Sequence, residues 1–123
     1  MIDLGKAGER MVADDYIQKG YRLLEKNYIF PHGKQTGEID LIFQKDQEII
    51  FVEVKSRSNH KFGGPFEAVD FNKRRRLVRT AKLYLQLHPK FYDFSYRIDV
   101  AGVDVDNLTE PVIILVNAID DID

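Results

Sequence analysis

The 123 residues contain no cysteine, only four prolines and eight glycines. Without cysteine there is no disulfide framework, no thiolate metal site and no thiol nucleophile. No apolar run exceeds five residues (Val112 to Val116), which excludes a transmembrane helix. The opening Met1-Ile2-Asp3-Leu4-Gly5-Lys6 lacks the apolar core of a signal peptide, so a cytoplasmic protein with no membrane partner is expected. No repeat, low-complexity tract or long linker divides the chain, and its length suits one domain with its own core. Residues 1–118 are expected to form that domain, with 119–123 a short acidic tail.

Net charge is scarce too: 18 Lys and Arg against 20 Asp and Glu leave −2. Taken whole, this argues against a polyanionic partner. Along the chain it does not. Residues 1–54 carry 7 basic and 10 acidic side chains, residues 55–90 carry 10 and 2, and residues 91–123 carry 1 and 8. The three segments therefore sum to −3, +8 and −7. From Phe71 through Lys90 there is no acid, while Lys73, Arg74, Arg75, Arg76, Arg79 and Lys82 follow one another. A solvated helix face would account for this as well as a phosphate-binding stripe, and the residues in front of the block decide between them.

Leu4, Ala7, Met11, Val12 and Tyr16 recur at helical spacing, predicting a helix over 3–19 with Asp3 as cap and Gly20 as stop. Strands are expected at 21–30, 38–44 and 48–56, the last two joined by a tight turn at Asp46-Gln47. A loop over 57–66 leads to a second helix from Asp70 to about His88, with Leu77, Ala81, Tyr84 and Leu85 inward and Pro89 ending it. Further strands are expected at 96–103 and 112–118. The order α-β-β-β-α-β-β predicts an α/β domain: a mixed central sheet of about five strands flanked by helices.

Three charges fall where this pattern wants apolar groups. In the third strand Glu53 and Lys55 share a face with Ile49 and Phe51. A two-residue turn at Asp46-Gln47 pairs residues whose numbers sum to 93, which sets Asp40 opposite Glu53. The other face, Ile39, Leu41, Phe43, Ile50, Val52 and Val54, is then wholly apolar. Two facing carboxylates in a half-buried sheet repel and lose hydration. A divalent cation such as Mg²⁺ or Mn²⁺ relieves both. The plainer alternative is an exposed sheet end with Lys55 bridged to Glu53 or Asp40. The third charge, Glu9, flanks the apolar stripe of the first helix, either as a boundary residue beside Arg10 or as a third carboxylate reaching the sheet.

Gly8-Glu9, Gly37-Glu38-Ile39-Asp40-Leu41-Ile42 and Phe51-Val52-Glu53-Val54-Lys55 resemble the YraN-like proteins, a bacterial group read as endonucleases of the PD-(D/E)xK superfamily. Gly64-Pro65, Glu67-Ala68-Val69, Lys73, Ala81, Tyr84-Leu85 and Arg97-Ile98-Asp99-Val100 extend the resemblance over about residues 5–103. Ile39 stands where many of the superfamily carry proline. Asn72-Lys73-Arg74-Arg75-Arg76 replaces the glutamine-and-tyrosine pattern of RecB-like nucleases, with Lys73 the substitute for that glutamine.

The resemblance implies a restriction-endonuclease-like fold and metal-dependent hydrolysis of nucleic acid, DNA more than RNA, and branched DNA in the resolvase-like branch. It implies Asp40, Glu53, Glu9 and the Val54 carbonyl as ligands of Mg²⁺ or Mn²⁺, with Lys55 completing the catalytic set. Arg57, Lys61, Lys73, Arg74, Arg75, Arg79 and Lys82 would contact flanking phosphates, and Arg76 either joins them or reaches back to an acidic strand. Tyr28, Phe30, Phe62 and Phe66 are the aromatics nearest the loops for stacking on bases. His32, His60 and His88 lack metal-ligand spacing and read as structural or surface groups. Resolvase-like relatives act as dimers, and a homodimer is one way for so small a domain to span a junction. Two other classes remain: a non-catalytic nucleic-acid-binding or partner-binding module on the same fold, and a structural domain using Asp120, Asp121 and Asp123 for contacts.

Overall fold

Asp3 accepts the Lys6 N–H at 3.2 Å and starts helix α1, Leu4–Gln18; Gly20, at φ 94°, turns the chain out of it. The computed structural model describes residues 3–32, 37–57, 70–104 and 106–119. After α1 come strands β1 (Arg22–Ile29), β2 (Glu38–Lys45) and β3 (Glu48–Arg57), helix α2 (Phe71–Leu87), a 3₁₀ turn at Pro89–Phe91, and strands β4 (Ser95–Asp104) and β5 (Val112–Leu115). The five strands lie in chain order. β1, β2 and β3 pair antiparallel, β3 and β4 run parallel through the α2 crossover, and β5 returns antiparallel. This is the expected mixed α/β sheet in the expected order. Among the described residues, no helix is long and apolar enough to cross a membrane.

Alternation along the strands sends apolar side chains to both faces, and each face receives one helix. Val12, Ala13 and Tyr16 of α1 pack on Leu41, Phe43, Ile50 and Val52. Leu77, Val78, Ala81 and Tyr84 of α2 pack on Ile42, Ile49, Phe51 and Ile98. Ile39 departs from its expected face and joins the α2 cluster. The regular β2–β3 ladder runs only to Leu41 and Val52, and beyond it the Val54 N–H goes to the Asp40 side chain, so strict alternation is lost there.

β5 stops at Leu115 instead of residue 118, because Asn117 turns at φ 53° and gives its N–H to Asp99. It forms a sheet edge, with Val112 and Ile114 inward and Ile113 and Leu115 exposed. Ile119 is buried against the α2 cluster, so the core extends one residue past the expected boundary at 118. Asp120, Asp121 and Asp123 lie outside the described residues.

A buried ionic network ties α1 to β4. Asp99, fully buried, accepts from Tyr16 Oη at 2.7 Å, Arg97 Nε at 3.0 Å and the Asn117 N–H at 2.8 Å. Arg97 also reaches Glu48 at 2.6 Å and Tyr21 Oη at 3.1 Å.

Gly8 marks the closest approach of α1 to the sheet. A Cβ there would overlap Ser56 Oγ, a buried hydroxyl with no hydrogen-bond partner among the described residues. Alanine normally gains about 1 kcal/mol over glycine inside a helix. Gly8→Ala should instead destabilise the wild type by roughly 1–3 kcal/mol through overpacking. In a Ser56→Ala background the nearest remaining contact is an ordinary 3.4 Å, and the same change should become neutral or stabilising. Urea melts of the four proteins test this, and an equal effect in both backgrounds would refute it.

Candidate active site

The β2–β3 hairpin builds the centre. Lys45 pairs with Glu48 and Leu41 with Val52, the register expected from the two-residue turn. One step beyond, Asp40 and Glu53 open together into a cleft of about 280 Å³ lined also by Gly37, Glu38, Lys73, Arg76 and Leu77. Asp40 Oδ2 accepts the Val54 N–H at 2.7 Å, which fixes the carboxylate. In an extended strand a residue's N–H and C=O face the same neighbour, so the Val54 carbonyl also looks toward β2.

Glu53 is 4% exposed, so the centre is not an exposed sheet end. Lys55 does bridge to Glu53, as the plainer alternative expected, with Nζ 3.6 Å from Oε1. A second ammonium is closer: Lys73 Nζ lies 3.0 Å from the same oxygen. Lys73 therefore sits at the centre, rather than exposed with Arg74, Arg75 and Arg79. Its position was readable, since Lys73 precedes Leu77 by four and Ala81 by eight on the inward stripe.

These charges reshape one another. Burial, then repulsion by Glu53, pushes the Asp40 carboxyl up to about 7 against the pull of the Val54 N–H, with Glu9 and Glu38 adding to the rise. Burial and the adjacent Lys73 hold the Lys55 ammonium below the usual lysine range, although Glu53 opposes them. Burial also acts against the charge on Lys73, but its bonds to Lys55 and Glu53 outweigh that and raise it.

Glu9 comes near Asp40 without joining it. Both its oxygens take hydrogen bonds of 3.2 Å from the Asn27 side-chain amide, which also donates to Glu38 Oε1 at 2.8 Å. Asn27 stands at φ 50° in β1, a left-handed position that asparagine tolerates better than most residues. Among the described residues, no three Asp, Glu, His or Cys side chains lie close enough to hold one metal ion. The donors that converge are thus Asp40 and Glu53, with Glu9 held off by an amide.

Thr80 holds the cleft's rim. Fully buried on α2, its Oγ1 donates to the Arg76 carbonyl at 2.8 Å and accepts the Gly37 N–H at 3.1 Å. That bond docks the start of β2 on the helix bearing Lys73, and nothing in the apolar pattern singles out this threonine.

Arg74, Arg75 and Arg79 are exposed on α2, Lys82 is half-buried, and Arg76 lines the cleft beside Glu38 and Glu53. Asp70 caps α2 by accepting the Lys73 N–H at 2.8 Å, so the run 73–76 crowds the helix's N-terminal end. Cations there oppose the helix dipole, which favours an anion in front of them. Arg57 lies in β3, but its side chain, together with Lys61, His60, Phe62, Phe66 and the glycine-rich loop, lies outside the described residues. Tyr28 does not face the cleft with a free ring: it packs edge-on to Tyr84 at 4.9 Å, a core contact. Phe30 meets His32 edge-on at 5.7 Å. His88 is structural, stacked on Tyr84 at 4.0 Å with Nδ1 2.7 Å from its carbonyl.

The profile of an uncharacterised protein family, UPF0102, matches residues 8–103, which include Glu9, the hairpin, α2 and most of β4. A UPF0102 protein of Clostridioides difficile is 47% identical over 81 residues, covering 66% of this chain and 68% of its own. One from Caldanaerobacter subterraneus is 40% identical over 100 residues, 81% of this chain and 78% of its own. One from Syntrophomonas wolfei is 38% identical over 116 residues, 94% of this chain and 96% of its own.

Proposed function

The chain belongs to the UPF0102 family, the YraN family, and from the centre that its matched segment carries we propose a metal-dependent nuclease that hydrolyses phosphodiester bonds in DNA. One observation carries the reading: a buried Glu53, with Lys55 beside it on β3, opens with Asp40 of β2 into one cleft that the basic first turns of α2 also line.

The donors suit a hard divalent cation. Asp40 and Glu53 are carboxylates brought together in a half-buried cleft, burial and then repulsion by Glu53 raise the Asp40 pKa, and the Val54 carbonyl offers a third oxygen. Mg²⁺ or Mn²⁺ bound there would lower the pKa of a water and offset the negative charge that builds on the phosphoryl oxygens. Lys55, beside Glu53, holds the attacking water and donates toward the charge that develops as the P–O bond breaks. Glu9, through Asn27, keeps negative charge behind Asp40. Arg74, Arg75 and Arg79 take flanking phosphates, a form of binding that reads no sequence.

A binding module without catalysis is the second reading, favoured by the ion pairs that already satisfy Glu53 from Lys55 and Lys73. Labelled single-stranded, duplex and branched DNA, with RNA beside them, incubated in Mg²⁺ or Mn²⁺ with wild type and Lys55→Ala, separate the two. Cleavage by the wild type alone is expected; intact substrates throughout would leave only the binder. In either case, three exposed arginines on phosphates predict that log affinity falls against log salt with a slope of about −3, and a flat response would remove nucleic acid as the partner.

A further inference from the structure

Glu53 Oε1 has two ammonium groups on it, Lys73 at 3.0 Å and Lys55 at 3.6 Å. Phosphodiester hydrolysis at this centre accounts for Lys55, but the flanking-phosphate contact expected of Lys73 does not explain why its ammonium lies on Glu53. Yet Lys73 sits where a lysine is costly. It lies in the first turn of α2, on the dipole's positive end, and its side chain is one-third exposed, beneath neighbours of the same sign. It lines the cleft with Asp40, Glu53, Arg76 and Leu77, its ammonium 3.0 Å from Glu53 Oε1. A divalent cation held by Asp40 and Glu53 would sit in the same cleft as the Lys73 ammonium, 3.0 Å from Glu53 Oε1, and like charges that close repel strongly in a half-buried site.

We propose that Lys73 is an internal counter-ion: it neutralises the acidic pair while the divalent cation is away, and gives up Glu53 for a substrate phosphate once that cation is bound. This rests on the metal-dependent reading above. It makes phosphate binding by Lys73 conditional on the metal, coupling the cleft's affinity for substrate to its being loaded. The exposed Arg74, Arg75 and Arg79 bind phosphate in either state.

Calorimetry with Mn²⁺ at pH 8.5, where Asp40 is ionised, tests the first half on wild type, Lys73→Met, Lys73→Gln and Lys73→Arg. Removing the competing ammonium should tighten Mn²⁺ by about tenfold or more in the Met and Gln variants, while Arg stays near wild type. The second half is read from a fluorescent oligonucleotide titrated in Ca²⁺ and in EDTA. Lys73→Met should weaken binding about tenfold in Ca²⁺ and leave it unchanged in EDTA. A role confined to folding would move the melting temperature without this split. If the wild type binds Mn²⁺ and neither neutral variant binds it more tightly, the counter-ion role is overturned while the metal site stands. If no protein of the set binds Mn²⁺, the metal-dependent reading falls and takes this one with it.

Discussion

Asp40→Asn is expected to melt several degrees above the wild type at pH 8.5 without divalent cations, and to lose at least about 10²-fold in cleavage. In the fold, burial and Glu53 raise the Asp40 pKa from 3.8 to about 7. A carboxyl raised on folding adds stability that is fully present below its unfolded value and lost as pH climbs through its folded value. At pH 8.5 the wild type therefore bears the whole penalty, with a ceiling of roughly 4 kcal/mol from the size of the displacement. Asparagine removes the charge and still offers an oxygen to the Val54 N–H. As pH falls toward the unfolded value of 3.8 the gap between the two melting temperatures should close. Mn²⁺ should stabilise only the wild type, release protons on binding, and weaken below pH 7. A variant that melts below the wild type at high pH would show that the carboxylate pair is not under strain.

Asp99→Ala is expected to be the most damaging single change to the fold, at about 3–5 kcal/mol. Asp99 is fully buried and collects the Tyr16 hydroxyl, the Arg97 guanidinium and the Asn117 N–H. Truncation leaves a buried hydroxyl and amide without acceptors and a guanidinium held by Glu48. Asp99→Asn keeps an acceptor while dropping the charge, and should cost less. Urea unfolding at pH 7 measures both. Because this network lies on the α1 side and the cleft on the α2 side, cleavage per folded molecule should survive in the Asn variant. A loss below 1 kcal/mol for Asp99→Ala would mean that water or rearrangement satisfies the exposed partners.

Much of this architecture was readable because two periodicities and one turn length constrain it. The turn at Asp46-Gln47 sets the pairing as far as Leu41 and Val52, and Asp40 and Glu53 meet one step beyond it. Lys73 was readable from the stripe through Leu77 and Ala81, yet its charge placed it with the outward arginines. Asp99 was hidden for the opposite reason. Alternation in Arg97-Ile98-Asp99-Val100 resembles a solvated strand face, and only the cover of Tyr16 and Tyr21 turns that face into an interior. Glu9's actual partner depends on Asn27, which reaches it from a left-handed turn in β1 after the ladder slips between Leu23 and Glu25. Neither the slip nor the positive φ has a local pattern to announce it. Ile119 joins the core because the chain turns at Asn117, a tertiary bond to Asp99 that no strand rule contains.

The β2–β3 hairpin also bears on how the protein reaches its native state. It is the most local pairing in the sheet, while β3 meets β4 only after the α2 segment has been spanned. An early hairpin would show bare apolar side chains on both faces, Leu41 and Phe43 on one and Ile42 and Phe51 on the other, with no helix yet on either. Such a ribbon is a template for self-association, and Asp40 and Glu53 at its open end supply the like charges that discourage a second ribbon from docking there. Refolding yield at rising protein concentration should therefore fall in Asp40→Asn even though its native state is the more stable one, and an undiminished yield would free the acidic pair of that guarding role.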